Sequence, residues 1–107
     1  MIEVNNLTRV PVDKKFLKKI GQKVLEKGKK EIKDLSIALV GGKKIRELNK
    51  NYRKKDKATD VLSFKYNSWG EIIICPELVR KNAERFHSTF KEELARVLIH
   101  GISHLLG

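Results

Sequence analysis

From Thr89 onward the chain crowds apolar residues so closely, at Leu94, Ala95, Val97, Leu98, Ile99 and Leu105, that a helix made from this stretch belongs in a core. The rest of the chain has to fold around it. Its start is written as a capping box, because Thr89 and Glu92 can exchange side-chain and backbone hydrogen bonds across the first turn. Farther along, His100 and His104 fall on one face, a turn apart at about 3.6 residues per turn. Two imidazole nitrogens so placed can reach one small cation. On a helix this apolar the pair is costly to bury unless it is used, since an unpartnered ring nitrogen loses its water.

Imidazole suits Zn²⁺ and neighbouring transition metals, whereas Ca²⁺ or Mg²⁺ would call for oxygen ligands. The competing account is plainer: histidines near a helix C-terminus are favoured by the macrodipole alone. Gly107 weighs toward the metal. In the long zinc signature H-E-x-x-H-x-x-G-x-x-H, the glycine after the second histidine turns the chain so that a third can complete the site. Here that third histidine is expected just beyond Gly107. Where zinc proteases place their general-base glutamate, this chain has Gly101, which cannot move a proton, so ordinary proteolysis is disfavoured.

A chain of 107 residues is one domain, able to bury roughly 65% of its unfolded surface. Cys75 is the single cysteine, so no intramolecular disulfide is expected. The N-terminus carries no signal-peptide pattern, and no run of about 18 apolar residues occurs, which makes a cytoplasmic protein without a membrane the expectation. Lys plus Arg number 24 against 13 acids, a formal charge of +11. A field of that sign draws polyanions, nucleic acid first and anionic membrane surfaces second. Many of the lysines (14, 15, 18, 19, 23, 27, 29, 30 and 33) cluster against only Asp13, Glu26 and Glu31. They read equally as an RNA track and as a solvated helix face in a charge-rich protein.

Residues 1–10, with Ile2, Val4, Leu7 and Val10, suit an edge strand that ends at Pro11. Asp13 caps a helix whose apolar positions Phe16, Leu17, Ile20, Val24 and Leu25 run to Gly28. Residues 35–40 form a buried strand closed by Gly41-Gly42, and a short helix follows over 43–52 with Ile45, Leu48 and Tyr52 inward. Residues 53–60 have no apolar side chain larger than alanine and form a loop. Residues 61–66 and 71–75 make a hairpin about Asn67-Ser68-Trp69-Gly70. Pro76 then opens a helix with Leu78, Val79, Ala83 and Phe86 inside. Asp60 is expected to tether the loop and Ser63 to satisfy backbone groups, while hairpin packing, rather than stacking on bases, is the expected use of Tyr66 and Trp69.

Three blocks stand in order: Leu48-Asn49-x-x-Tyr52-Arg53-x-x-Asp56-x-x-Thr59-Asp60-Val61-Leu62-Ser63-Phe64, then Gly70-Glu71-Ile72-x-Ile74-Cys75-Pro76-Glu77, then His100-Gly101-x-x-His104-Leu105-x-Gly107. Together they closely resemble the YbeY family of bacterial ribosomal-RNA maturation endoribonucleases. The resemblance covers residues 48–107; the N-terminal half is compatible with it. It implies an α+β fold, a small four-stranded mixed sheet packed against helices, with the metal site on the last helix. It further implies one catalytic domain over residues 1–107, C-terminally truncated relative to the family, with Zn²⁺ held by His100, His104 and a third histidine. Arg53 matches the family's arginine, which faces the metal. The implied activity is zinc-dependent cleavage of single-stranded RNA in maturation of the 16S 3′ end and in ribosome quality control, with ribosomal RNA and the small ribosomal subunit as partners. Departures are mild at Ser103, usually leucine, at Lys65, usually proline, and at Glu71, usually aspartate; the third histidine is the serious one. Two rivals come from other classes: a basic ribosome-associated RNA-binding protein without catalysis, and a zinc peptide hydrolase, which Gly101 argues against.

Overall fold

The computed structural model describes residues 1–28 and 32–107. Its elements run β1 (Ile2–Asn6), α1 (Lys14–Lys27), β2 (Asp34–Leu39), α2 (Gly42–Arg53), β3 (Val61–Tyr66), β4 (Trp69–Ile74), α3 (Pro76–Arg85) and α4 (Phe90–Leu106). The strands pair in the order β1-β2-β4-β3, with β1, β2 and β4 mutually parallel and β3 antiparallel to β4. This is the expected α+β fold with a mixed four-stranded sheet.

Burial follows from which faces of the sheet are covered. In β2 the alternation is clean: Leu35, Ile37 and Leu39 are buried, and Ser36 and Ala38 are only half so. In β4, Ile72, Ile73 and Ile74 are all buried, because helices cover both faces there and the period-two pattern is lost. Ile72 and Ile74 join a large core with Leu35, Ile37 and Leu39, Leu17 of α1, Val79 of α3, and Leu94, Val97, Leu98, Ile102 and Leu105 of α4. Ile73 points the other way into a smaller core with Val40, Ile45, Leu62 and Cys75, against which Leu48 and Phe64 pack. The sheet therefore separates α4 from α2.

Local rules place the ends. Asp13 caps α1 by accepting a hydrogen bond from the Phe16 amide at 3.1 Å. β1 stops at Asn6 because the Asn6 side chain accepts from the Thr8 amide and donates to the Val10 carbonyl, which turns the chain and leaves Leu7 exposed. The hairpin is tighter than expected: Tyr66 pairs with Trp69 around a two-residue turn, with Asn67 in the left-handed region at φ 54°. Tyr66 and Trp69 stack on each other, ring centroids 4.4 Å apart, which is the hairpin packing anticipated for them.

Three residues lie where periodicity did not put them: Tyr52, read as inward, is 66% exposed in the last turn of α2 with its ring edge-on to Phe64, and Phe86 and Ile99 are the others. Phe86 is 59% exposed because α3 ends at Arg85, and the residue that caps it leaves the helical face. Ile99 is 43% exposed, off the buried stripe formed by Leu94, Val97, Leu98, Gly101, Ile102 and Leu105. Lys14, Lys15, Lys18, Lys19, Lys23 and Lys27 of α1 are all exposed; Lys29, Lys30 and Glu31 lie outside the described residues. Among the described residues no helix is long and apolar enough to cross a membrane.

Candidate active site

Helix α4 is fixed at its start by the anticipated capping box. The Thr89 hydroxyl accepts from the Glu92 amide and the Glu92 carboxylate accepts from the Thr89 amide, both at 3.0 Å; the amide's bond to the carboxylate foremost, with the nearby Thr89 hydroxyl second, holds the Glu92 carboxyl below the usual carboxylate range. About a turn and a half before its end, the helix meets the hairpin at Gly101. A Cβ there would sit 3.1 Å from Ser63 Oγ, 3.2 Å from Val61 Cγ2 and 3.3 Å from Ile72 Cδ1, so no side chain larger than hydrogen fits without movement. Ser63 uses the close approach, its hydroxyl donating to the Gly101 carbonyl at 2.9 Å, the backbone-satisfying role expected of it.

This contact sets His100 and His104 at the edge of β3. Their Nε2 atoms are 3.2 Å apart, with ring planes at 79°. Both side chains are exposed, so they sit beside the core stripe and not within it. The burial cost anticipated for a polar pair on an apolar helix does not arise.

Arg53, the last residue of α2, reaches the same place from the opposite face of the sheet. It lines one cleft of about 270 Å³ together with His100, His104, Ser63, Lys65, Val61, Leu62 and Leu105. No carboxylate is among these lining residues, so the cleft offers cations and imidazoles to an anion. The loop that follows Arg53 is stapled to α2 by Asn49 and Asp56. Asn49 is 2% exposed, donates from Nδ2 to the Lys57 carbonyl at 2.8 Å, and receives the Lys54 amide at its own carbonyl as Lys54 turns left-handed. Asp56 pairs with Arg46 at 2.8 Å; that hydrogen bond foremost pulls its carboxyl below the usual range, and Lys50 adds attraction at 3.9 Å. The tether expected of Asp60 is thus carried by two other residues, while Asp60 accepts the Cys75 amide at its backbone carbonyl.

A metal's fit can be judged from the donors alone. Tetrahedral Zn²⁺ with bonds of about 2.0–2.1 Å needs ligand nitrogens roughly 3.3 Å apart, and the His100–His104 separation of 3.2 Å meets this. The pair fits two coordination positions. Among the described residues no group of three His, Cys, Asp or Glu side chains is gathered. His87, the other histidine weighed as a ligand, is exposed in the turn before α4, at the far end of the helix from His100. Asn49 and Lys65 appeared in the sequence only as a motif letter and a departure. The signal for Lys65 was strand alternation, since residues 61, 63 and 65 share one face.

Comparison with known proteins gives a consistent picture. The model of the family described as Endoribonuclease YbeY matches residues 3–107. A protein named Endoribonuclease YbeY from Sulfurihydrogenibium sp. (strain YO3AOP1) is 43% identical over 104 residues, covering 90% of this chain and 68% of that protein. One of the same name from Thermotoga maritima is 44% identical over 98 residues, covering 87% of this chain and 65% of that one. The chain thus spans about two thirds of these relatives' own lengths. Its fold is similar to the solution structure of TM1509 from Thermotoga maritima, with a TM-score of 0.70, 35% identity, and coverage of 100% of this chain and 73% of that one.

Proposed function

We propose, for a chain that belongs to the YbeY endoribonuclease family, that it is a zinc-dependent endoribonuclease that cuts single-stranded RNA. Its task is maturation of ribosomal RNA at the 16S 3′ end and ribosome quality control, in the cytoplasm and on the small ribosomal subunit. The observation that carries this reading is the convergence of Arg53 with His100 and His104 in one cleft without a carboxylate, although they arise on opposite faces of the sheet.

His100 and His104 would hold Zn²⁺ through their Nε2 atoms, which are 3.2 Å apart. Bound there, the ion supplies a Lewis acid able to polarise a phosphoryl oxygen and to make water acidic near neutral pH. Arg53 presents a planar fork to the phosphodiester and stabilises the charge that grows on its oxygens during attack. Ser63 holds the Gly101 carbonyl and so fixes α4 against β3, keeping the histidines in register with Arg53. At about 270 Å³ the cleft is at the small end of ligand sites.

The test is cleavage of end-labelled single-stranded RNA by zinc-loaded protein beside chelated protein and the His100→Ala and Arg53→Ala variants. Cleavage that needs the metal and is lost in both variants supports the reading, and zinc titration of His104→Ala, with the expected loss of binding, assigns the ligand without reference to activity. The exposed lysines of α1 favour one alternative, a basic RNA-binding protein of the ribosome without catalysis. Binding that weakens steeply with salt, persists in His100→Ala and leaves the RNA intact would establish that alternative instead.

A further inference from the structure

The cleft holds a second cation that the reaction described above does not use. Lys65 is exposed on β3 and lines the same cleft as Arg53, His100 and His104. Strand alternation puts it on the α4 side with Val61 and Ser63, and Ser63 already touches the backbone of α4. The register adds a further point. Asp60 accepts the Cys75 amide at 2.9 Å, and Tyr66 pairs with Trp69 across the turn, so even-numbered residues of β3 bond to β4 and odd-numbered ones turn their backbone away. Because β3 ends the sheet, Lys65 stands at its edge with its side chain on the α4 face, where the cleft opens.

We infer that Lys65 is a second phosphate-binding residue, holding the substrate strand one nucleotide from the phosphate gripped by Arg53. A single strand carries one charge per nucleotide, so two cations from different elements beside one pair of histidines ask for two successive phosphates. Lys65 is a positioning residue for the strand; it does not act on the scissile bond. This inference rests on reading the cleft as an RNA site. Its mundane competitor is that an exposed lysine merely protects an edge strand from pairing with other chains.

Salt dependence separates the two. Anisotropy titrations of a short single-stranded RNA between about 50 and 200 mM salt give a log–log slope near −0.7 per phosphate contacted. Lys65→Ala and Lys65→Gln are each expected to reduce the magnitude of that slope by about 0.7, and Lys65→Ala with Arg53→Ala by about twice as much. In cleavage assays Lys65→Ala should raise KM for oligonucleotides and leave a dinucleoside monophosphate, which has no second phosphate, unaffected. A slope unchanged in both Lys65 variants overturns the inference, as does one that falls only in Lys18→Ala and Lys19→Ala, which would put the strand on α1. The slope measurement needs no turnover. A protein that never cuts RNA yet loses a contact in the Lys65 variants sinks the nuclease reading and spares this one; cleavage with an unchanged slope does the reverse.

Discussion

At the scale of single residues, Gly101 and Asn49 govern the site without entering it. Gly101→Ala gains up to about 1 kcal/mol of helix propensity but pushes its Cβ to within 3.3 Å of three neighbours, an overpacking that costs about 1–3 kcal/mol. The expected net effect is a destabilisation of about 1 kcal/mol, or a fall of roughly 4–8 °C in Tm for a domain this size, with Gly101→Glu failing to fold; thermal denaturation checks both. Asn49→Ala removes a buried hydrogen bond worth about 0.5–1.5 kcal/mol and frees the loop behind Arg53. Cleavage should therefore fall further than stability does, which kinetics measured well below Tm will reveal. Glycine at position 101 was read in the sequence as a missing base, a fair inference about chemistry. Its packing role was illegible because the contact partners Ser63, Val61 and Ile72 lie far away in the chain.

At the scale of elements, α4 owes its start to the capping box. Thr89→Ala should cost about 1 kcal/mol by denaturant unfolding. The Glu92 carboxyl has its pKa lowered in the folded state by the Thr89 bonds. Its contribution is accordingly complete above the carboxyl's unfolded pKa and is lost as pH falls through the lowered folded value. Glu92→Gln should remove that acid-side fall, whereas Thr89→Ala, which keeps the backbone amide that lowers the pKa most, should only lessen it; a pH series of unfolding midpoints is the check. Caps of this kind, like Asp13 on α1, are read directly from sequence because they are local. The ends of β1 and β4 were less legible: an Asx turn at Asn6 and a left-handed Asn67 decided them, and both compete with strand pairing by amounts that hydrophobic pattern does not register.

At the scale of the molecule, the candidate site straddles two cores, with the histidines anchored in the larger and Arg53 in the smaller. Ile45→Val, at a fully buried position of the smaller core, should cost about 1 kcal/mol and loosen α2 while leaving α4 intact. Zinc binding is then expected to persist as cleavage declines. Cys75 supplies the check: it is buried in that core, burial pushes its thiol pKa up, and alkylation reports opening of this side of the sheet, so Ile45→Val should label faster than the parent. The three motif blocks made the site's membership legible, but only the mixed sheet explains why residues nearly half a chain apart meet. Pairing order between strands is written in no local pattern.

The stacked pair at the hairpin turn has a practical corollary. Trp69 is the chain's single tryptophan, 41% exposed, and Tyr66 on its face belongs to the strand that carries Ser63 and Lys65. The molecule therefore contains its own fluorophore at the turn of the hairpin whose first strand lines the cleft, outside the cleft itself, and its emission can report a rearrangement of that hairpin without any dye attached.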